Sequence, residues 1–576
     1  MASEDYEFIV DVENYSFKFP RSEKPVLNNV NLKIKPGECV LLMGKSGCGK
    51  TLLCISLNGV IPHLVIGEVS GKVVVAGKDV HKTEVKDMAK DVGIVFQNPD
   101  WQLCNIRVED EVAFGLENLC FDPAEIRRRI DEALDFVGLE NFHHRQVMNL
   151  SGGEKQRLAI ASMLAMRPKI LVLDAPTSNL DPVGTEEVCE TVSRIKEETN
   201  TTLLIVEHNV DEIMHHIDKM VVMGVEGNVA YEGPPRELLD IRGNTLWQDL
   251  GLWLPQVSVM ALELRNAAEF SNTKLKVPIT VEEAADVFRK YVNLPFKCEE
   301  RKPVEGSEDI ILAEDVHYSY PNGVQALKGV DLKIKKGDLA AIVGQNGSGK
   351  STFSLNCIGI YKPTSGHLEV AGFDINKTSP VRLARAVSYV FQYPEHQFVT
   401  PRIFDEVAYS LKILGGTISE TEINKRVEDE LEKLQLLELK DRHPYSLSMG
   451  QMRRLSVAAM LVTKPQVIFL DEPTYGQDRH SVKILMDRMD QLHDEGTTVI
   501  FITHNMKLVA EFAHSVHVFK SGKVIFSGGP RELFAKNDIL AEAHLSPPPV
   551  SRVSNLIENC KYVLSIPEFI ENMRRR

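Results

Sequence analysis

The segment Val26–Thr51, VLNNVNLKIKPGECVLLMGKSGCGKT, recurs as Ala326–Ser351, ALKGVDLKIKKGDLAAIVGQNGSGKS. Each later motif returns in the same order at an offset near 300 residues. A tandem copy of one domain accounts for both facts, and chance similarity does not preserve motif order. The 576 residues are long enough for two such domains with full cores. We place the first copy at 1–239, an interdomain linker with a helical segment at 240–308, the second copy at 309–537 and a tail at 538–576.

Short apolar runs bounded by turns dictate the fold class. Cys39–Met43, Ile170–Leu173 and Leu203–Val206 in the first copy match Leu339–Val343, Val467–Leu470 and Val499–Ile502 in the second. They alternate with charged, helix-like stretches, Pro123–Gly138 and Ser419–Leu437. Such runs imply α/β domains with mostly parallel sheets covered by helices on both faces. In the linker, Thr280–Val292 reads as a helix with Thr280 as N-cap and Glu283 three residues on. The polar stretch CEERKPVEGSED that follows reads as exposed linker, and the tail carries no assignable chemistry.

Composition narrows the class. A net charge of −15 argues against a bulk nucleic-acid binder, so no nucleic acid is expected as partner. Nine cysteines without C-x-x-C pairing argue against a disulfide scaffold or zinc site and suit a reducing cytosol. The acidic start MASEDYEF lacks the regions of a signal peptide. No run is long and apolar enough for a membrane helix; the nearest, Thr51–Gly67, is broken by Asn58, Gly59, Pro62 and His63 and reads as a buried helix followed by a loop. Any work at a membrane therefore needs other chains.

The chemistry sits in the repeated motifs. GKSGCGKT and GQNGSGKS both fit G-x-x-x-x-G-K-[ST] directly after an apolar strand. Gly44, Gly47 and Gly49, with Gly344, Gly347 and Gly349, let the backbone N–H groups curl toward phosphate oxygens at a helix N-terminus. Lys50 and Lys350 reach the β- and γ-phosphates, and Thr51 and Ser351 are candidate Mg²⁺ ligands. ILVLDAP and VIFLDEP each end an apolar strand in an aspartate, Asp174 and Asp471, as further Mg²⁺ partners. At the next position Glu472 can orient the attacking water or take its proton, whereas Ala175 can do neither. LSGGEKQR and LSMGQMRR place a serine hydroxyl and close backbone N–H groups at a helix start, at Ser151, Gly152 and Gly153 and at Ser448 and Gly450, a pattern that alone reads as an N-capped helix. Gln97 and Gln392 follow strands in VFQNPDWQ and VFQYPEHQ; His208 and His504 end strands in IVEHN and FITHN.

Taken together, these motifs resemble the ABC ATPase family over both copies: phosphate loop, glutamine loop, LSGGQ-type signature, Asp-Glu strand and switch histidine come in the family's order. The resemblance implies P-loop cassettes, each with a mostly parallel sheet, flanking helices, an antiparallel β subdomain and a helical subdomain. It implies an ATPase coupled to transport with ATP and Mg²⁺ as cofactors. Phe19 and Tyr320 match the aromatic that stacks on adenine, and SNLD (Ser178–Asp181) and YGQD (Tyr475–Asp478) match the loop that couples two sites. In this family two domains pair head to tail, here within one chain, with ATP between the phosphate loop of one and the signature of the other. That pairing gathers Ala175 and Met449 into one degenerate site and leaves Glu472, Gln392 and His504 with the intact Ser151–Gly153 signature in a catalytic one. Compensation of Ala175 by another group, for instance His208, is the alternative.

FQNPDWQ, FQYPEHQ and EPTYGQD, with LGLWLPQV in the linker, look like the fused ATPases of energy-coupling-factor importers. That resemblance implies a membrane-embedded coupling subunit, a substrate-capturing membrane subunit, a peripheral place on the cytoplasmic face, and a vitamin, vitamin precursor or metal ion as cargo. Trp101 and Phe398 are candidates for the coupling surface, with burial in the core as the competing reading. The other classes weighed are a fused sugar-import ATPase and a ribosome-associated twin-cassette factor. The first tends to degrade its second copy, and the second tends to carry a long charged interdomain helix or a cysteine cluster; neither feature is visible here.

Overall fold

The computed structural model describes residues 7–178, 180–267, 270, 275–292, 296, 308–414, 418–474, 477–558, 560 and 562–574. The chain divides into two compact units, Met1–Ala284 and Ala285–Arg576.

In the first unit the main sheet runs Val229–Gly233, Lys219–Met223, Cys39–Gly44, Thr202–Val206, Ile170–Asp174, Val92–Val95. Pairing is parallel throughout except at the Val229–Gly233 edge. Every residue of Cys39–Gly44, Ile170–Asp174 and Thr202–Val206 is buried, which is why these strands read as unbroken apolar runs rather than alternating ones. A second, antiparallel sheet orders Leu27–Ile34, Val10–Lys18, Glu68–Val75 and Lys78–Asp79. Tyr15, Phe17 and Leu27 from it share one core with Val40, Leu42 and Leu204 of the main sheet. Burial of an aromatic or aliphatic side chain at that interface is worth about 1.5–3 kcal/mol each.

Helices Val108–Asn118, Pro123–Phe136 and Gly152–Ala165 form a helical subdomain. Its middle helix starts at Pro123 because Asp122 accepts from Ala124 N and proline needs no donor at the first turn. The stretch at 51–67 folds as helix Lys50–Leu57 and a short helix Val60–His63. No helix among the described residues is long and apolar enough to cross a membrane.

The second unit repeats the plan. Its main sheet orders Val387–Val390, Val467–Asp471, Thr498–Ile502, Leu339–Val343, Ser515–Lys520 and Lys523–Gly528. Its antiparallel sheet orders Gln325–Lys335, Asp309–Ser319, Ser365–Val370 and Phe373–Asp374. The Glu420–Lys433 helix is capped by Ser419, which accepts from Glu422 N.

The boundary between units falls inside the stretch 240–308. Within the first unit, helix Gln256–Asn266 is anchored by Asp211 Oδ1, which accepts from Gln256 N at 2.7 Å. Leu252, Leu254 and Val257 of LGLWLPQV are buried. Thr280 caps helix Val281–Arg289, its Oγ1 accepting from Glu283 N at 3.3 Å. The polar linker stretch lies largely outside the described residues. In the tail, Leu540, Leu545 and Leu564 join the core that holds Val509 and Leu533, and Arg531 pairs with Glu568 at 2.7 Å.

Candidate active site

Both phosphate loops sit between a buried central strand and an eight-residue helix, Lys50–Leu57 or Lys350–Cys357. Gly49 and Gly349 take φ of 97° and 105°, a left-handed backbone that other residues resist. A side chain there has no room: a Cβ on Gly49 would lie 2.7 Å from Leu27 Cδ2, and one on Gly349 2.9 Å from the Ala326 carbonyl. Lys50 Nζ donates to Gly44 O at 2.8 Å and Lys45 O at 3.1 Å; Lys350 Nζ donates to Gly344 O and Gln345 O, both at 2.7 Å. Each ammonium is thus held over its loop by carbonyls that phosphate oxygens can replace. Ser348 Oγ, buried in the second loop, has no hydrogen-bond partner among the described residues.

The aspartates differ in surroundings. In the first unit Thr51 Oγ1 donates to Asp174 Oδ2 at 2.8 Å. In the second, Asp471 Oδ2 accepts from Tyr389 Oη at 2.7 Å. Hydroxyl and carboxylate oxygens are the hard donors that Mg²⁺ takes, so the set fits that ion. Burial raises Asp174 above the usual carboxylate range, opposed by Thr51 and Lys50. Burial, opposed by the Tyr389 bond, pushes Asp471 up to about 6, with Glu472 beside it adding to the rise. A cation at either site therefore relieves an unfavourable burial of charge.

Beyond the aspartate both units turn through a left-handed residue, Ala175 at φ 50° and Glu472 at φ 45°. Glu472 Oε1 lies 2.7 Å from His504 Nδ1 and accepts from His504 N at 3.2 Å, while Oε2 accepts from Thr503 Oγ1 at 2.9 Å. Burial drives its carboxyl up, but His504, Lys350 and Thr503 outweigh it and leave Glu472 below the usual range. The glutamate is therefore ionised at neutral pH and able to take a proton or orient water.

The glutamine loops follow strands Val92–Val95 and Val387–Val390, and Gln97 and Gln392 are half-buried there. The second glutamine of each motif, to which sequence reasoning gave no role, clasps the loop. Gln102 accepts from Phe96 N at 3.1 Å and donates to Ile94 O at 3.2 Å; Gln397 donates to Tyr389 O at 3.4 Å. Arg453, also missed, is fully buried and donates to the carbonyls of Phe391, Gln392 and Asp471, joining the signature helix to the glutamine loop and the aspartate strand.

Both signature serines cap their helices through a capping box, Ser151 with Glu154 and Ser448 with Gln451. The helix begins at Gly152 in one unit and at Met449 in the other, so methionine is sterically tolerated at that first position. The next glycine is not replaceable in the same way. A Cβ on Gly153 would meet Gly184 Cα at 3.0 Å, and one on Gly450 would overlap the Ser481 side chain. We expect Gly450→Ala to destabilise the second unit by about 1–3 kcal/mol in chemical melts, with Ser481→Gly restoring most of it. No rescue by Ser481→Gly would show that the contact is not the cause.

Phe19 is partly exposed and meets Phe17 edge-on at 4.9 Å between ring centroids. Tyr320 Oη lies 2.9 Å from Thr352 Oγ1 on the phosphate-loop helix. In the coupling loops, Asp181 and Asp478 cap helices Pro182–Glu198 and Arg479–Asp494 by accepting from Gly184 N and Ser481 N. Asn179, Tyr475 and Gly476 lie outside the described residues. His208 ends strand Thr202–Val206 two residues on, but the carboxylate at that strand end is Glu207, 3% exposed. The sequence signal for it was the exchange of IVEHN for FITHN between copies.

A curled phosphate loop, a lysine over it and a carboxylate beside it, found in each unit, define a P-loop nucleotide-binding protein with two such centres. The chain belongs to the ABC transporter family, whose family model matches residues 27–178 and 327–475. It is an ATP-binding subunit and an ATPase coupled to transport. The chain is 39% identical over 571 residues to a Methanosarcina acetivorans protein named as an ABC transporter ATP-binding protein, covering 97% of this chain and 92% of that one. It is 35% identical over 539 residues to YkoD of Bacillus subtilis, named for HMP/thiamine import, covering 93% of this chain and 94% of that one. Among solved structures, CbiO1 of Clostridium perfringens, described as part of the ABC transporter complex cbiONQ, is 36% identical with a TM-score of 0.37, covering 41% of this chain and 94% of that one.

Proposed function

We propose that the chain is the energising ATPase of an energy-coupling-factor-type importer for a vitamin, vitamin precursor or metal ion. It binds peripherally at the cytoplasmic face of the membrane through a membrane-embedded coupling subunit that also carries a substrate-capturing subunit. The observation that carries this reading is the exposed tryptophan that closely follows Gln97. Trp101 is 78% exposed, so it is not core. Ile106 and Met148 are exposed as well, brought near each other by Val147 N donating to Ile106 O at 2.9 Å. In the second unit Phe398 is half-buried and meets Tyr445 edge-on at 6.0 Å, with Val399 and Tyr445 exposed. Exposed apolar side chains such as these suit a partner helix. The import name of the B. subtilis relative supports the same reading.

The expected result is that Trp101→Ala, with Ile106→Ala, lowers recovery of the chain with membranes about tenfold or more while ATP binding is kept. Undiminished recovery would remove the surface reading. Co-sedimentation with ribosomes instead of membranes would favour a twin-cassette ribosome factor, and a sugar-stimulated complex would favour a sugar importer.

Within this function the two ATP sites divide their labour. In the head-to-tail pairing implied by the family, Lys50, Asp174 and Ala175 share a site with the Ser448–Met449–Gly450 signature. That site binds MgATP through Thr51 and Asp174 and turns it over slowly or not at all. Lys350, Ser351, Asp471 and Glu472 share the other site with Ser151–Gly153, and this one hydrolyses. The identity of the base at Glu472 supports the assignment, since the first unit has only a methyl group at that position.

A further inference from the structure

The missing glutamate of the first unit has a counterpart one strand away. The two strands that end at the site run parallel in both units, with Asp174 opposite Val206 and Asp471 opposite Ile502. The following positions are therefore side by side: 175 with 207, and 472 with 503. Ala175 N donates to Val206 O at 2.7 Å and Glu472 N to Ile502 O at 2.8 Å, so the backbones agree. The side chains are exchanged. The second unit carries Glu472 beside Thr503, and the first carries Ala175 beside Glu207.

The two carboxylates share a task. Glu472 accepts from the backbone N–H of His504, and Glu207 accepts from the corresponding N–H of His208 at 2.7 Å. Glu207 also accepts from Asn209 N at 3.1 Å, Thr177 N at 3.1 Å and Thr177 Oγ1 at 2.7 Å. It thereby ties the switch-histidine loop to the turn after the aspartate strand. In the second unit Glu472 makes that tie from within the turn, and Asn505 Nδ2 adds to it by donating to Thr474 Oγ1 at 3.3 Å.

We propose that Glu207 is a positioning residue of the first ATP site, the carboxylate of that site carried one strand over. It holds the switch-histidine loop as Glu472 does, but with its oxygens turned to donors inside its own unit it does not serve the attacking water. This rests on the division of labour proposed above. It also means that Ala175 and Glu207 belong together. A glutamate restored at 175 would contend with Glu207 for the same His208 N–H, and two adjacent buried carboxylates repel. Burial already holds the Glu207 carboxyl above the usual range despite the bonds from Thr177, Asn209 and His208.

The test uses the full-length chain, with steady-state ATP turnover and equilibrium ATP binding read for each variant. Glu472→Gln comes first. Turnover kept near the wild-type level would overturn the division of labour and the holding role together, because the first site would then hydrolyse with Ala175. Next, in a Glu472→Gln, Met449→Gly chain, Ala175→Glu is compared with Ala175→Glu, Glu207→Thr. We expect the double exchange to raise turnover at least about tenfold, a part of what a general base supplies, and the single exchange to raise it by less than about threefold. Equal gains in the two, or no gain in a double variant that binds ATP, would overturn the holding role alone. Should the double variant fail to bind, Thr503→Glu in the wild-type chain decides. A second carboxylate beside Glu472 is expected to lower turnover about tenfold or more, and unchanged turnover overturns the proposal.

Discussion

Replacing Glu472 with glutamine is expected to lower ATP turnover of the whole chain by about 10²–10⁴-fold, the range a positioned general base contributes. In barrier terms this is about 2.7–5.5 kcal/mol. The substitution keeps shape and volume, and the amide oxygen can still accept from one of Thr503 Oγ1 and His504 N, which bond different oxygens of the carboxylate. What disappears is the ability to take a proton and the negative charge 2.7 Å from His504 Nδ1. ATP binding should therefore survive, because the phosphate loop and Lys350 are untouched. The measurement is steady-state turnover alongside equilibrium nucleotide binding. More than about a tenth of wild-type turnover left in the variant would mean that Glu472 is not the principal base.

Arg453→Met is expected to destabilise the second unit by about 3–5 kcal/mol, the range for breaking a buried charged contact. Three carbonyls, those of Phe391, Gln392 and Asp471, take their donors from this one guanidinium. Methionine fills similar space but donates nothing, and each orphaned buried acceptor costs about 1–3 kcal/mol. Burial has already lowered the guanidinium to about 10, with Asp471 and Glu472 holding it charged, so the arginine is a cation at neutral pH. The matching residue of the first unit is Gln156, also buried. Arg453→Gln should accordingly be the milder change, since the matching place on the first unit's signature helix holds a buried, uncharged glutamine. Urea unfolding followed by ATP binding separates the two variants. A methionine variant as stable as wild type would show that water or backbone movement supplies the missing donors.

Much of this was legible in the sequence because the strongest signals are local. The phosphate loops, the aspartate strands and the signature serines are each specified within about eight residues by conformation and chemistry that few other residue types permit. Buried parallel strands also announce themselves as unbroken apolar runs, as Val467–Asp471 and Thr498–Ile502 do. What stayed hidden depends on contacts distant in sequence. Arg453 reads as one more basic residue on a helix until Asp471, 18 positions later, is found beside it. Tyr389 reads as a strand aromatic, and only the folded sheet places its hydroxyl on Asp471, 82 positions away. Glu207 was in plain view but has meaning only once strand register sets it beside Ala175. The packed state of the tail was equally unreadable, because Leu540 and Leu564 find their partners in another element.

The left-handed turn at Ala175 carries one more implication. A non-glycine residue in that conformation costs about 1–3 kcal/mol and persists only where its surroundings impose it. Here the imposition comes from the sheet, since the same turn holds an alanine in one unit and a glutamate in the other. Shape and reactivity are therefore under separate control at this position. On the division of labour proposed above, a cassette that burns ATP and one that merely grips it differ by side chains that can be exchanged without redrawing the backbone.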